Sequence, residues 1–204
     1  VEIGNLNSMN ILSDATNLIA EGEVMQLANL GNFSLSVDSY RKVINCKTAL
    51  LFESATHSAG VLAMSKSPKV KEEHVKSIRS YGHHFGMAYQ LIDDLLDYVG
   101  SKTIMGKNTG DDLSEGKLTL PIILALAKTG GREKNSLLHA LKQKSSANLE
   151  EIVEIITSSG AIEDTRKAAL HEIEQAREHL LHLPENEYRK ALESLTEYSA
   201  DRIF

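Results

Sequence analysis

Cysteine is nearly absent from this chain: Cys46 is the only one among 204 residues. It can neither form an internal disulfide nor build a zinc site with partners of its own kind, so a reducing compartment, and hence a cytoplasmic location, is expected. Lys47 beside it would favour a thiolate, but an inert buried thiol is the simpler reading. Basic residues are also short, with 22 Lys+Arg against 28 Asp+Glu and a net charge of -6. No basic stripe offsets that balance, and without clustered Lys and Arg to neutralise phosphates, nucleic acid is not an expected partner. Long apolar runs are missing too. The longest, Leu118 to Ala127, is interrupted by Thr119 and Pro121 and falls short of the ~20 residues a membrane-spanning helix needs. The opening Val1-Glu2-Ile3-Gly4-Asn5 has neither the basic head nor the apolar run of a signal peptide. An initiator Met is lacking as well, so the chain reads as a piece of something longer.

Proline occurs only at Pro68, Pro121 and Pro184, and no stretch sustains the period-2 alternation of a strand. What is present is ordinary globular material, 42% hydrophobic and 25% charged, enough for a sizeable core. Apolar residues recur at helical spacing almost throughout. Ile3, Leu6, Ile11, Ala15, Leu18, Ile19, Gly22 and Met25 define a first long helix closed by Gly31-Asn32. A second, capped by Asp38 or Ser39, runs through Val43, Leu50, Leu51, Ala55 and Leu62 to the polar Ser65–Pro68. A third extends from about Glu72 to Val99, a length of ~42 Å at 1.5 Å per residue. Residues 100–120 read as a loop, after which Pro121 suits the first turn of a short apolar helix. Smaller helices are expected near 134–143, 149–158, 162–182 and 186–200, with Asn148 as an N-cap and 162–182 as outer-layer structure. No repeat or linker is visible. One all-helical domain over 1–204 follows, a bundle whose long helices are buried on several sides.

The third helix carries the sharpest feature, Gln90-Leu91-Ile92-Asp93-Asp94-Leu95-Leu96-Asp97. At 100° per residue, Gly82, Gly86, Gln90, Asp93 and Asp97 share one face, with Asp94 flanking it, and the glycines suggest open space before the acids. Asp93 and Asp97 stand at i and i+4, where their charges repel unless a cation lies between them. A hard divalent cation suits such oxygens, and Mg²⁺ typically takes one or two carboxylates and leaves the rest of its sphere to water and phosphate. A solvated acidic face is the alternative, weakened by the apolar helix and the adjacent glycines. Lys47-Thr48 lies in a nearly uncharged part of the second helix, where an ammonium needs an anionic partner. After the acids come Gly106-Lys107, Asp111-Asp112 and Glu115-Gly116-Lys117, a segment suited to folding over a phosphate.

Taken in order, Lys47-Thr48, Gln90 to Asp97, Gly106-Lys107 and Asp112-Leu113-Ser114-Glu115-Gly116-Lys117-Leu118-Thr119-Leu120-Pro121 resemble the trans-polyprenyl diphosphate synthases, and look closest to the bacterial long-chain branch that makes octaprenyl diphosphate for quinone side chains. Glu21-Gly22-Glu23 with Gln26-Leu27 is similar to that branch as well. The resemblance covers essentially the whole chain. It implies an isoprenoid-synthase-type helical bundle around a central cavity and condensation of isopentenyl diphosphate with an allylic diphosphate. It implies Mg²⁺ held by Asp93, Asp94 and Asp97, diphosphate contacts from Lys47, Thr48, Gln90, Lys107 and Lys117, and a homodimer. Asp93, Asp94, Lys47 and Lys117 are the groups it makes catalytic. The family's first aspartate-rich motif lies upstream of everything matched here, so about the N-terminal third of the expected domain is absent and this chain alone is expected to be a poor catalyst.

Two other readings stay open on the residues: a non-catalytic partner subunit of such a synthase, and a terpene or squalene-type synthase. An intact acid motif weighs against the first and the Gly-Lys and Glu-Gly-Lys loop against the second. The eight histidines include His83-His84, pointing in different directions, and His179 and His182. Without paired Glu-x-x-His motifs a di-iron bundle is disfavoured.

Overall fold

The computed structural model describes residues 4–99 and 109–203, and among them there is no strand. Helix α1 spans Leu6–Ala28, with the Asn5 side chain accepting the Ser8 N–H at its start. Helix α2, Val37–Ile44, begins two to three positions earlier than expected. Its N-cap is Ser36, whose hydroxyl oxygen accepts the Ser39 N–H at 3.1 Å, and neither Asp38 nor Ser39 takes that place. The helix then runs through a π-helical turn, Asn45–Ala49, into α3, Leu50–Lys66. Helix α4 spans Glu72–Val99, as its periodicity predicts. A short α5, Asp111–Glu115, sits in the segment expected to be loop, and Pro121 opens α6, Leu120–Lys128. Four more helices follow: α7 (Gly131–Gln143), α8 (Leu149–Ser158), α9 (Ala161–Leu180) and α10 (Glu187–Asp201). Asn148 precedes α8, but its side chain makes no capping bond there.

Helix α4 is the axis of the bundle, with α3 along one side and α9 along the other. Its Leu91, Ile92 and Leu95 are fully buried in one core with Ile122 of α6, Leu137 of α7 and Ile156 of α8. Each such side chain contributes about 1.5–3 kcal/mol by leaving water. The helix expected as outer-layer structure at 162–182, α9, keeps one face exposed and through the other makes the most extensive contact with α4 of any described helix. Its buried face combines the small Ala161, Thr165, Ala169 and Ala176 with Ile162, Glu172, Ile173 and Leu180. Exposed polar residues on the far face gave it the amphipathic look of a peripheral helix.

The glycines of α4 are also not where space lies. A Cβ on Gly82 would stand 2.7 Å from the Phe52 carbonyl oxygen, and one on Gly86 would stand 2.6 Å from the Ala49 Cα. They let α3 and the π turn press against α4, and the open space lies farther along the helix, beside the acids. Helix α1 packs through Ser8, Ala15 and Gly22, while Leu6 and Leu27 stay 73% and 65% exposed.

Candidate active site

A cavity of about 250 Å³ opens where the end of α1, α2, the π turn, the last third of α4 and the α5–α6 segment meet. Lys47, Gln90, Asp93, Asp94 and Lys117 all line it, so the structure brings together five of the residues singled out in the sequence. Lys107 lies outside the described residues. Thr48 sits beside Lys47 on the π turn, a local widening of the helix that often marks functional positions. Ala49, next in sequence, is the residue packed on Gly86, so the close approach of the two helices fixes the turn that carries Lys47 and Thr48.

A run of hydrogen bonds crosses from this turn to the acids. The Thr48 hydroxyl donates to Gln90 Oε1 at 2.7 Å, and Gln90 Nε2 donates to Asp94 Oδ1 at 2.6 Å. The Tyr40 hydroxyl of α2 donates to Asp94 Oδ2 at 2.5 Å. Asp94 is only 3% exposed. Burial pushes its carboxyl up to about 7; the Tyr40 and Gln90 bonds work against that rise, and the Asp112 and Asp93 charges add to it. Burial and the neighbouring Asp94 charge hold the Tyr40 phenol well above its ordinary range. A cation that arrives in the cavity favours the ionised carboxylate, and the proton it displaces passes to solvent.

Asp97 behaves differently from the expectation drawn from the helical face. Its Oδ1 accepts the N–H groups of Gly110 and Asp111 at 3.2 and 3.1 Å, and its Oδ2 that of Asp112 at 3.2 Å. It is not among the residues lining the cavity. Burial and the Asp112 charge push it up to about 6, with the backbone N–H bonds opposing them. The helical stripe set Asp97 beside Asp93, but the chain following α4 folds back and takes up both of its oxygens.

Both lysines are held by oxygen atoms of the protein. Lys47 Nζ donates to Gln26 Oε1 at 2.7 Å and pairs with Glu23 at 3.2 Å, so its surroundings are less uncharged than its own helix suggested. Lys117 pairs with Asp112 at 3.2 Å and Glu115 at 2.5 Å. Burial pulls its ammonium down, but the bonds and charges of Glu115 and Asp112 outweigh that and leave it raised.

Tyr40 is a polar cavity residue that the sequence reading did not single out, and Asp112, named there only as part of the loop, lines the cavity with it. Tyr40, Val43, Ile44 and Lys47 follow i, i+3, i+4, i+7 spacing and all line the cavity, so the face of Lys47 was the available signal for Tyr40. Asp112 depends on the return of the chain to α4, which no spacing announces. His83 and His84 do diverge, to Glu53 at 3.2 Å and Glu172 at 2.7 Å. Cys46 is half-buried.

Among the described residues no three His, Cys, Asp or Glu side chains come together closely enough to hold a metal ion by themselves. That fits a hard cation shared with phosphate, for which one or two carboxylates suffice, and not a closed protein cage. Asp93 and Asp94, facing lysines across one cavity, are a donor set of that kind.

The sequence profile of the polyprenyl synthetase family matches residues 1–157. The all-trans-nonaprenyl-diphosphate synthase (geranyl-diphosphate specific) of Rhodobacter capsulatus is 39% identical over 203 residues, covering 100% of this chain and 61% of that protein. Octaprenyl diphosphate synthase of Escherichia coli (strain K12) is 38% identical over 201 residues, covering 98% of this chain and 61% of its own length. The crystal structure of polyprenyl synthase from Caulobacter crescentus CB15, complexed with calcium and isoprenyl diphosphate, superposes with a TM-score of 0.90 at 36% identity, over 100% of this chain and 61% of that one. The chain therefore spans about three-fifths of the length of these relatives, and its own fold, all-helical and matched from end to end, is theirs over that span. It belongs to the polyprenyl synthetase family.

Proposed function

We propose that this chain carries the diphosphate-holding side of a trans-polyprenyl diphosphate synthase. In the full-length protein it condenses isopentenyl diphosphate with an allylic diphosphate to give a long-chain all-trans product, an octaprenyl chain for quinones being the expected one. The observation that carries the reading is the convergence of Lys47 and Lys117 with Asp93 and Asp94 on one cavity. In the reaction the allylic C–O bond breaks and diphosphate leaves with the electron pair. The alkene of isopentenyl diphosphate forms the new C–C bond to the allylic carbon, and a proton is lost to restore a double bond.

Lys47 and Lys117 exchange Gln26, Glu23, Asp112 and Glu115 for phosphate oxygens, and their charge is worth most as the leaving group becomes more anionic. Hydrogen bonds from Thr48 to Gln90 and from Gln90 to Asp94 orient the Asp94 carboxylate; in the same reading Thr48, Gln90 and Lys107 add contacts to the diphosphate. Asp93 and Asp94 are the carboxylates for Mg²⁺, which when bound supplies charge neutralisation for the diphosphate. Asp97 is assigned to holding the return of the chain at Gly110–Asp112 instead of to the metal. The apolar part of the lining, Leu30, Leu35, Val43, Ile44 and Leu118, helps to keep water from the cationic intermediate.

Residues 1–204 are read as one domain, completed by upstream helices that bear the family's first acid motif. A homodimer and a cytoplasmic location belong to the same proposal, supported by family membership and by the lone thiol. Among the described residues no helix is long and apolar enough to cross a membrane. The test is incorporation of labelled isopentenyl diphosphate by the full-length protein with an allylic starter and Mg²⁺, with product length read by mass spectrometry. Asp93→Ala is expected to lower turnover about a hundredfold or more. Absence of any elongated product from the full-length protein would favour a non-catalytic partner subunit.

A further inference from the structure

The Asp94 carboxylate receives one hydrogen bond from its own helix and one from elsewhere. Gln90 lies one turn before Asp94 on α4, so its bond travels with that helix. The Tyr40 bond comes from α2, across 54 residues of sequence, and joins two buried side chains at 2.5 Å. The Tyr40 bond reaches the carboxylate directly from the wall where Lys47 stands, whereas the Gln90 bond is tied to that wall only through Thr48. Tyr40 is itself firmly placed. Its ring is buried in the main core, and its neighbour Arg41 pairs with Glu172 of α9, which also bonds His84 of α4.

The chemical type of the donor matters as much as its position. A lysine or arginine at this point would neutralise Asp94 and compete with any cation approaching it. A phenol donates a hydrogen bond and adds no charge, so the carboxylate is oriented while its attraction for a divalent cation is kept. We infer that Tyr40 is a positioning residue that acts through Asp94, holding its carboxylate in the orientation that binds a metal–diphosphate complex. The inference rests on the functional reading given above.

The experiment is calorimetric titration of the full-length protein with inorganic diphosphate at a series of Mg²⁺ concentrations, for wild type, Tyr40→Phe, Asp94→Asn and the double variant, with melting temperatures taken in parallel. Tyr40→Phe keeps the ring in the core and removes only the hydroxyl. It is expected to raise the Mg²⁺ concentration for half-maximal diphosphate binding about tenfold, comparable with loss of other outer-shell partners of metal ligands. In the Asp94→Asn background it should have no further effect, because a residue acting through another has nothing left to orient. Wild-type Mg²⁺ dependence in a folded Tyr40→Phe protein, with Asp94→Asn impaired, overturns the inference and leaves the functional reading intact. Wild-type behaviour of Asp94→Asn overturns the assignment of Asp94, and the inference with it. Tyr40→Met, which also removes the hydroxyl, takes the place of Tyr40→Phe if that variant does not fold. Loss of the fold in both would make Tyr40 a folding residue and overturn the inference too.

Discussion

The Asp97 carboxylate accepts the backbone N–H of Asp112 at 3.2 Å, tying the end of α4 to the start of α5 across 15 residues. Through this contact and the bonds from Gly110 and Asp111, one carboxylate sets where Asp112, and with it Lys117, meets the cavity. The acid that helical spacing places beside Asp93 thus bonds the backbone at the start of α5.

Asp97→Ala should therefore loosen the start of α5. Amide exchange at Asp111 and Asp112 is expected to quicken at least several-fold, since each loses its side-chain acceptor, and that of Gly110 less, since its N–H also bonds the Asp97 backbone carbonyl at 2.9 Å. Asp97→Asn, which keeps one acceptor oxygen, should fall between. Unchanged exchange at these amides in Asp97→Ala, measured by hydrogen–deuterium exchange, would remove the fastening role.

Gly86 and Ala49 supply a second test. A methyl group on Gly86 would lie 2.6 Å from Ala49 Cα and 3.0 Å from its carbonyl oxygen, and backbone cannot swing aside as a side chain can. Gly86→Ala should cost about 1–3 kcal/mol, typical of overpacking, and should also weaken diphosphate binding because the displaced turn carries Lys47 and Thr48. A urea midpoint equal to that of wild type would contradict the packing.

Glu172 is the third. Burial pushes its carboxyl up, but the bonds from His84 and Arg41 outweigh that and hold it below the ordinary glutamate range. A carboxylate lowered on folding stabilises the folded state above its unfolded pKa, and that stability is lost as pH falls through the folded value. Wild type should thus lose stability more steeply than Glu172→Gln as the pH drops below about 4.3. At neutral pH Glu172→Gln should be less stable by about 1–3 kcal/mol, having lost a buried charged acceptor. Parallel pH dependence of the two melting curves would contradict this.

The sequence made the long helices legible because their apolar spacing is regular and their ends are marked: α4 starts and stops where its pattern does. The π turn was not legible, since Asn45–Ala49 has the composition of plain helix and the widening comes from packing against α1 and α4. Amphipathicity marked the two faces of α9 but not its partner α4, against which it sets Ala161, Ala169 and Ala176 with Ile162, Ile173 and Leu180. The lysines and acids were readable as chemistry at fixed spacing. Their partners were not, because Tyr40, Gln26 and Asp112 reach the cavity from other elements, and helical geometry speaks only for residues on one helix.

The central claim is that the cavity between Lys47, Lys117, Asp93 and Asp94 binds a metal–diphosphate complex. Its most direct test is calorimetric titration of the full-length protein with inorganic diphosphate, with and without Mg²⁺, for wild type, Lys47→Ala and Asp93→Ala. The expected result is binding by wild type that depends on Mg²⁺, weakened at least about tenfold in each variant, as loss of a charge-assisted contact implies. Wild-type affinity in both folded variants, or tight binding that ignores Mg²⁺, would contradict it.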